Sequence, residues 1–557
     1  MPASNNGVAA IAVYVDNNLA YKQNVQTLDT DINMTNGSHY VVAQFWDDSG
    51  NVPAKASVTI TVNGTGGGGT PGTVDVLTSH NDPSRQGANT QETILNPSNV
   101  NTSQFGKLMG YAVDGQVYAQ PLIVSNLNIG GGNHNVLYVS TEHDSIYALD
   151  ADGQQAQPFW SMTLLGPGQS TVQSEDGLGI SPEVGSTSTP VIDRNNNVMY
   201  VVAYVNNGGT DEFWLHALNL QTGAELFGGP KRITATVSGT GGDSSNGQIS
   251  LEGDCWQRSG LALANGNVYI GFGHCNHGWL LAYNATSLQQ TAVYNTSPSG
   301  SGGTIWMGGG APAIDSSGNV YVMTGTNFGD TQNSGYNNSF LKLSPSLTLL
   351  DFFQPSNNAT LVANDADLGS GSPMIIPDNS SAYPHEIVGA GKDGRIFLLN
   401  RDSMGSFDPN GNHVIQSIQS GSSQYNNFHD TPAFWNGNVY YHANGDVLRV
   451  FHWSNGMLST SPTMTGSTVF SAHGDTPSIS ASGTSNGIVW ELQLDGQPSQ
   501  PAVLHAYDAN DVSRELWNSS MNSGDAAGPA VKFTVPTIAN GKVYVPAGNQ
   551  VDIYGPK

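Results

Sequence analysis

The sequence predicts an all-β chain in which an eight-bladed β-propeller follows a small antiparallel β-sandwich. A three-strand pattern recurs eight times after residue 118, and its spacing of roughly 45 to 70 residues suits a four-stranded blade with its loops. The first 63 residues alternate apolar and polar side chains between turn residues, as the strands of a sandwich do. A glycine-rich run separates the two parts, which predicts two domains.

The first domain, residues 1–63, contains three alternating runs, Ile11–Val15, Tyr40–Phe45 and Ala56–Val62. This pattern resembles a bacterial Ig-like module. Such modules take about 100 residues, which leaves open that one or more leading strands are absent here. The following run, residues 64–73, is a flexible linker because its glycines have no side chains to bury.

The propeller is predicted for residues 74–557. One copy of its repeat combines Gln120–Ile123, Val136–Val139 and Ile146–Asp150. The other copies begin at Pro190, Gly260, Pro312, Pro373, Pro432, Pro477 and Pro536. Seven blades are the alternative, because the copy at Gly260 lacks the proline and long loops obscure its edges.

A leading segment, residues 74–117, is predicted to close the ring. The last copy ends after Val551–Tyr554 with only three strands, and Lys107–Val113 is suited to pair with it as the outer strand. Closure by the two ends of the propeller would remove an open sheet edge, which explains why the segment precedes the first repeat.

The net charge of the chain restricts the classes of partner that it can bind. The chain has 17 Lys and Arg residues against 43 Asp and Glu residues, for a formal net charge of -26. Such a field repels phosphate backbones and anionic lipid, so we expect no nucleic-acid partner. No apolar run is long enough to predict a membrane span. The surface, rich in Gly, Asn, Ser and Thr, indicates a secreted or periplasmic bacterial monomer whose signal peptide is absent from this sequence.

The candidate site is predicted from topology. Loops that enter the innermost strands and turns between second and third strands open on one face of a propeller, so their polar side chains converge around the axis. The residues at these positions are Glu142, His143, Asp144, Asp211, Glu212, Cys255–Arg258, His274–His277, Trp306, Thr326, Asn327, Asp365, Asp367, Lys392, Asp393, His429, Asp430, His473 and Asp475. We predict a small-molecule site on this face, called the top face below.

Two sequence features resemble one enzyme family. Leu95–Val100 and Phe105–Leu108 are similar to the start of quinoprotein alcohol dehydrogenases, eight-bladed propellers that hold pyrroloquinoline quinone (PQQ). The blade ends resemble the tryptophan-docking repeat of these enzymes, in which an aromatic residue packs between neighbouring blades. The matching stretches are Ala148–Asp150 with Trp160, Ala217–Asn219 with Phe227, and Ala506–Asp508 with Trp517. The resemblance extends over roughly residues 74–555.

The resemblance implies PQQ and calcium as cofactors and alcohols or sugars as substrates. Those enzymes surround calcium with Glu, Asn and Asp, place a Trp beneath the quinone and an Arg or Lys beside its oxygens, and use an Asp as base. This chain offers Glu212, Trp306, Asn327, Asp367 and Lys392 in that order. Asp367 would take the alcohol proton during hydride transfer.

In detail, the resemblance implies that the quinone contacts Trp306, Lys392, Glu212 and Asn327, and that calcium is held by Glu212, Asn327 and Asp367. The chain departs from the family in three ways. The adjacent Cys pair that covers the quinone is absent, the Thr-Gly-Asn turn is displaced by one position at Thr324–Asn327, and the turn that carries Glu212 is shorter.

The two cysteines are predicted to form a disulfide. Cys255 lies in the loop that enters the third repeat and Cys275 lies in a turn of the same repeat, so both belong to the top face. The alternative is a zinc-type site formed by both cysteines with His274 and His277, although the spacing matches no established zinc motif.

A metal-dependent hydrolase is the rival function. His143, His429 and His473 are each followed within two residues by Asp, and a His beside a carboxylate serves as general base or metal ligand. His143 is therefore also a catalytic candidate. The hydrolase site would combine Glu142, His143, Asp144, His429, Asp430, His473 and Asp475, around calcium or another divalent ion, to cleave esters or phosphoesters. A third alternative is a non-catalytic scaffold that binds a glycan or another protein.

Overall fold

The computed structural model describes residues 8–15, 18–23, 37–47, 52, 54–62, 73–174, 179–326, 335–421, 427–471 and 476–557. Nearly all regular structure in these ranges is β-strand. The helices are one α-helix, α1 (Asn358–Ala363), and short 3-10 turns at Met307–Gly309, Leu368–Ser370 and Ser523–Asp525. None of the helices within these ranges is long and apolar enough to cross a membrane. The chain divides into two compact units, Met1–Thr70 and Pro71–Lys557.

The first unit contains one antiparallel sheet in its described part. Its strands are β1 (Val8–Val15), β2 (Asn18–Gln23), β3 (Gly37–Asp47) and β4 (Ala54–Val62). Their order in the sheet is β2-β1-β3-β4. The central position of β1 explains why Ala10–Val13 are buried. The three runs predicted as strands lie within β1, β3 and β4, and the assignment to an Ig-like sandwich stays a prediction.

Within its described residues, the second unit contains eight successive sheets of three or more strands, numbered one to eight here in chain order, and one short ribbon. Two strands precede the repeats, β5 (Ala88–Asn89) and β6 (Phe105–Gln116). Sheets one and two contain β7 (Leu122–Ile129), β8 (Gly132–Ser140), β9 (Ser145–Asp150), β10 (Trp160–Thr163), then β11 (Gln169–Gln173), β12 (Glu183–Val184), β13 (Val191–Asp193), β14 (Val198–Asn207), β15 (Thr210–Asn219) and β16 (Lys231–Arg232). The ribbon pairs β17 (Thr236–Ser238) with β18 (Gln248–Ser250).

Sheets three to five continue the pattern. They contain β19 (Ala262–Ala264), β20 (Asn267–Phe272), β21 (Trp279–Asn284), β22 (Gln290–Asn295), then β23 (Ala313–Ile314), β24 (Val320–Met323), β25 (Phe340–Leu343), β26 (Leu349–Gln354), then β27 (Met374–Ile375), β28 (Glu386–Ala390), β29 (Arg395–Asn400) and β31 (Gln416–Gln419), while β30 (Ser406–Phe407) joins sheet four.

Sheets six to eight complete the unit. They contain β32 (Ala433–Trp435), β33 (Asn438–His442), β34 (Leu448–Ser454), β35 (Met457–Leu458), β36 (Met464–Thr465), then β37 (Ser478–Ser482), β38 (Ser485–Gln493), β39 (Val503–Asp508), β40 (Asp511–Asn518), then β41 (Thr537–Ala539) and β42 (Lys542–Pro556). Strand β5 adds to sheet seven, and β6 adds to sheet eight.

The first strand of each repeat begins where the repeat predicts it, and in sheet two this strand is β13, which follows β11 and β12. Seven of these strands start one residue after a repeat proline, and β19 starts two residues after Gly260. Proline has no N–H for a strand ladder, so it is suited to the position just before a strand. The prediction of an all-β propeller is confirmed, while the count of eight blades stays a prediction.

Aromatic docking between sheets is present at two of the three predicted positions. Trp160 of sheet one donates from Nε1 to the Leu220 carbonyl at 2.9 Å, and a Cβ on Gly223 would lie 2.8 Å from the Trp160 ring. Trp517 of sheet seven packs edge-on against Phe105 with ring centroids 4.9 Å apart. Phe227, in contrast, is 39% exposed, so its predicted docking role is wrong. The backbone at Phe227 is left-handed, with φ 56°, in a turn that directs the chain onward to β16.

Both ends of the second unit share sheet eight. Its order is β41-β42-β6, and β42 pairs antiparallel with β6 from Gly548 opposite Gln116 to Pro556 opposite Phe105. The last repeat thus contributes two strands, and the segment before the first repeat contributes the third. The pairing links residues more than 400 positions apart, as the bond from the Lys107 N–H to Asp525 Oδ1 at 3.0 Å shows.

A backbone belt, residues 74–92, hydrogen-bonds to seven of the eight sheets. In six of these sheets, the first strand of the repeat pairs with its sheet on one edge and hydrogen-bonds to the belt on the other. The belt residues and their partners are Val76 with Ile123, Leu77 with Ile192, Pro83 with Ile314, Ser84 with Ile375, Gln86 with Phe434, Gly87 with Ile479 and Glu92 with Gly541. Six of the partners are the second residue of a first strand, so the belt lies directly below the loops that lead into those strands.

Arg85 fixes the shape of the belt. Its side chain is fully buried, and Nε and Nη2 donate to the Pro312 carbonyl at 3.0 and 2.8 Å. Nη1 donates to the Ser79 carbonyl at 2.7 Å and to Thr78 Oγ1 at 2.8 Å. Because a buried guanidinium is costly without such partners, this network ties the belt to itself and to sheet four.

Candidate functional site

Trp306 lies near the centre of the top face, in the loop between β22 and β23. The next three residues, Met307, Gly308 and Gly309, all have left-handed backbone, with φ 47°, 57° and 90°. A Cβ on Gly308 would lie 2.3 Å from the His429 carbonyl oxygen, so only glycine fits there. Trp306 is 5% exposed, and its buried Nε1 has no acceptor among the described residues. Strained backbone beside an unsatisfied donor is typical of a ligand site.

Other aromatic rings surround Trp306. Its ring centroid lies 5.4 Å from that of His274, 6.0 Å from that of His429 and 6.1 Å from that of Phe533. Trp256 packs on the far side of His274, with centroids 3.6 Å apart. These residues come from loops and turns of sheets three, four, six and eight, which the propeller brings together around its axis.

A polar group adjoins the aromatic rings. Lys392, in the turn between β28 and β29, places Nζ 2.6 Å from Asp367 Oδ2, 3.1 Å from Asp365 Oδ2 and 3.0 Å from the Asp365 carbonyl. On the other side of the carboxylate, Thr326 donates from its backbone N–H and from Oγ1 to Asp367 Oδ1 at 2.6 and 2.7 Å. Lys392 Nζ is 5.7 Å from the Trp306 ring centroid. The sequence-predicted residues Trp306, Asp367 and Lys392 are therefore close together.

Two further cations lie against the same rings. The guanidinium carbon of Arg258 is 5.0 Å from the Phe533 ring centroid and 5.2 Å from that of Trp256. Lys532 Nζ is 5.6 Å from the Phe533 ring centroid. Together with Lys392, they concentrate positive charge at one place on a chain whose formal net charge is -26. We call the ring and cation set of Trp256, Arg258, His274, Trp306, Lys392, His429, Lys532 and Phe533 the top-face funnel.

Burial and neighbouring charges shift the pKa values of the titratable side chains in the funnel. Burial lowers the pKa of His274 to about 3; Asp367 opposes this shift, whereas Arg258, Lys392 and Lys532 add to it. His274 is therefore neutral near pH 7. Burial, assisted by Arg258, lowers the pKa of Lys532 to about 8. Burial also acts to lower the pKa of Lys392, but Asp367 and Asp365 outweigh it and raise that pKa.

A disulfide holds one wall of the funnel. Cys255 and Cys275 are bonded, which confirms the predicted bridge, and their sequence neighbours are Trp256 and His274, the stacked pair. The zinc-type alternative is wrong, because both sulfur atoms are used in the disulfide. His277 Nε2 instead lies 2.9 Å from Asp243 Oδ1, and His277 Nδ1 lies 3.0 Å from the Ser297 carbonyl oxygen.

Several predicted residues are not part of the funnel. The Glu212 carboxylate, on β15, pairs with Arg232 at 3.0 Å and accepts a bond from Trp214 Nε1 at 3.1 Å. The prediction that Glu212 joins the quinone and calcium residues thus finds no support, because the ion pair draws its side chain to β16. His143 is half exposed and lies 2.8 Å from Glu183 Oε1. The predicted residues outside the described ranges are Asn327, His473 and Asp475.

Three acids proposed for a hydrolase site are buried, Glu142 and Asp144 in the turn between β8 and β9 and Asp430 in the loop before β32. Glu142 accepts bonds from the Gly185 N–H at 2.8 Å and Thr187 Oγ1 at 2.9 Å, and burial raises its pKa to about 7. Burial raises the pKa of Asp144 well above its usual range and that of Asp430 to about 7. Within the described ranges, no group of three or more His, Cys, Asp or Glu side chains is placed to hold a metal ion.

Two pockets flank Arg258. One is lined by Tyr204, Phe213 and Trp256; the other is lined by Tyr118, Gln120 and Phe533. Arg258 and Thr187 line both. The Arg258 guanidinium and the aromatic rings therefore border the same two small pockets.

Lys532 and Phe533 were not found by sequence reasoning. They precede Pro536 in the loop that enters the last repeat, which is the same kind of position as the loop of Trp306 before Pro312. The topological rule that predicted the other top-face residues would have included them. No motif marks them, because a Lys-Phe pair is common in loops.

The described residues do not fit a calcium ion. Calcium takes about six to eight oxygen ligands. Of the implied calcium ligands that the structure describes, Asp367 is the one beside the funnel, and it has Oδ1 bonded to Thr326 and Oδ2 bonded to Lys392. The ammonium group of Lys392 thus occupies the position between the Asp365 and Asp367 carboxylates that a cation would need.

The described residues do fit a flat anionic quinone such as PQQ. PQQ carries three carboxylates on a planar aromatic system, and the funnel supplies three cations beside aromatic rings, Arg258 at Trp256, Lys392 at Trp306 and Lys532 at Phe533. The buried Trp306 Nε1 is a free donor within the described part of the chain. Cations and aromatic faces are the groups that recognise such a molecule.

No protein-family model matches the chain, and no curated protein sequence matches it. Among solved structures, the quinohemoprotein alcohol dehydrogenase from Pseudomonas putida HK5 is 13% identical and has a TM-score of 0.55, over 87% of this chain and 80% of that one. The corresponding enzyme from Comamonas testosteroni is 14% identical, with a TM-score of 0.54, over 86% and 80%. A europium-containing methanol dehydrogenase is 11% identical, with a TM-score of 0.55, over 86% and 98%. The resemblance to quinoprotein dehydrogenases is confirmed for the fold.

Proposed function

We propose that the protein is a quinoprotein-dehydrogenase-like propeller that binds PQQ in the top-face funnel and oxidises an alcohol or sugar. One observation carries the proposal: Trp306 presents a buried, unsatisfied Nε1 among the described residues, within a ring of aromatic side chains and beside Lys392. The disulfide supports the secreted or periplasmic location, since such bonds persist in oxidising compartments. We expect the protein to act as a monomer on a small molecule.

Four funnel residues, and Asp367 beside them, have separate tasks in this proposal. The Trp306 ring supports one face of the ligand, and Arg258 and Lys532 neutralise its carboxylates. Bound PQQ supplies the two-electron acceptor. Asp367 is the carboxylate proposed to accept the substrate hydroxyl proton, and the Lys392 ammonium holds it in position at 2.6 Å.

The test is a titration of the protein with PQQ, followed by absorbance and melting temperature. We expect a shifted quinone spectrum, a raised melting temperature, and reduction of a dye by the loaded protein with an alcohol or sugar. Trp306→Ala should weaken PQQ binding by about tenfold or more, because stacking on one aromatic ring contributes about 1 to 3 kcal/mol. Lys542→Ala is the matched control, since Lys542 pairs with Asp152 at 2.7 Å outside the funnel.

The outcomes separate the candidate functions. Binding that Trp306→Ala abolishes and Lys542→Ala leaves intact supports the proposal. If PQQ changes neither spectrum nor melting temperature, the proposal fails and the scaffold alternative takes its place. Metal-dependent ester or phosphoester cleavage without PQQ would instead support the hydrolase, which the described residues do not favour.

A further inference from the structure

We infer that the Lys392 ammonium replaces the metal ion of the funnel, so that the anionic ligand binds without a divalent cation. The inference rests on the proposed function for the identity of the ligand. It departs from the calcium site that the family resemblance implies, and it stands on the contacts of Lys392, Asp365, Asp367 and Thr326.

Lys392 is fully used as a hydrogen-bond donor. An ammonium group has three N–H donors. Nζ has three acceptors, Asp367 Oδ2 at 2.6 Å, Asp365 Oδ2 at 3.1 Å and the Asp365 carbonyl at 3.0 Å. Its backbone N–H also donates to the Asp367 carbonyl at 2.9 Å. Lys392 is therefore held in place by the same segment that supplies the implied metal ligand.

The carboxylate oxygens of Asp367 are likewise all used as hydrogen-bond acceptors. Both oxygens of Asp367 are bonded, and its side chain is 3% exposed. A calcium ion could reach this carboxylate only if it displaced the ammonium group, which would then have to find other partners in a site where it is 13% exposed. Breaking a buried charge pair is strongly unfavourable.

Arg258 and Lys532 add the rest of the positive charge that takes the place of a metal ion. In a metal site the ion attracts the ligand's anionic oxygens. Here Lys392 has a positive charge 5.7 Å from the Trp306 ring centroid, while Arg258 and Lys532 lie on the Phe533 side of the same funnel. The ligand class is therefore a planar aromatic polycarboxylate recognised by three fixed cations and an indole face.

The first experiment measures calcium binding without PQQ. The melting temperature of the chelator-treated wild type should not change when calcium is added. Lys392→Ala removes the ammonium and leaves the Asp365 and Asp367 carboxylates unneutralised, so calcium should raise the melting temperature of this variant. The control Lys542→Ala should behave as the wild type does. Calcium stabilisation of the wild type, equal to that of Lys392→Ala, would overturn the inference.

The second experiment keeps the inference falsifiable if Lys392→Ala does not fold. The Kd of the wild type for PQQ is measured after chelation and again with calcium. The two values should agree within about twofold, and the more conservative Lys392→Met should raise the Kd by roughly tenfold, because it removes a positive charge beside the Trp306 ring. PQQ binding that requires calcium would overturn the inference and leave the proposed function intact. Absence of PQQ binding under both conditions would overturn the proposed function, and with it the ligand assigned here.

Discussion

Lys532 makes ligand binding pH-dependent. Burial and the nearby Arg258 lower its pKa to about 8, so it loses its positive charge as the pH rises from 7 to 9. An anionic ligand prefers the protonated form, and its affinity must therefore fall over this range. Loss of one charge-assisted hydrogen bond, of about 1.5 to 3 kcal/mol, corresponds to a roughly tenfold or larger increase in Kd.

The measurement is the Kd of PQQ at a series of pH values. Lys532→Arg should flatten the profile, because an arginine keeps its charge throughout. His274 does not contribute, since its pKa of about 3 leaves it neutral over the whole range. A steep profile that persists in Lys532→Arg would show that another group is responsible.

Residues that stand in a recognisable sequence pattern could be predicted from the sequence, and residues outside such a pattern could not. Trp306, Asp367 and Lys392 were found because their order and local strings resemble a known family, and the structure brings them together. Glu212 matched in order alone, and its ion pair with Arg232 takes it elsewhere. Lys532 and Phe533 joined the funnel through the three-dimensional position of their loop.

At the scale of elements, the disulfide joins a loop to a turn of sheet three and thereby supports the Trp256–His274 stack. The bond has a sequence separation of 20, so its removal should reduce the free energy of unfolding by about 3 kcal/mol. The double variant Cys255→Ser with Cys275→Ser should also bind PQQ more weakly, because the stacked pair loses its anchor. Denaturant unfolding and PQQ titration measure the two effects.

Reduced wild-type protein is the control for that variant. It should match the double variant in both stability and affinity. If affinity is unchanged while stability falls, the disulfide supports the fold but not the funnel.

Strands were more predictable than loops. The start of each first strand follows from its proline or glycine, because the repeat fixes both the period and the residue before the strand. The three-strand expectation for the last repeat was less accurate, since β42 is one strand of 15 residues. Loop conformation depends on contacts between sheets, such as that of Gly308 with the His429 carbonyl, which no local pattern reveals.

For the whole molecule, we predict that removal of the last twenty residues unfolds the propeller. Residues 538–557 include all of β42, the partner of β6. Their loss leaves β6 without a partner strand and opens the ring at sheet eight. The melting transition should disappear or fall sharply. Removal of residues 1–70 is the matched control, because they form a separate compact unit, and the propeller transition should remain. A form without residues 538–557 that keeps its full thermal transition would contradict the prediction.

Hydrogen bonding to the belt favours a ring that contains every sheet with which the belt pairs. Six of its carbonyl groups, from Val76 to Gly87, accept bonds from the first strands of six repeats, so loss of one of these repeats would leave a buried carbonyl unpaired, at a cost of about 1 to 3 kcal/mol. The belt is also synthesised before every sheet it contacts, and Glu92 meets Gly541 only after 449 further residues. Pairing of the belt is therefore complete only after the last sheet has been synthesised.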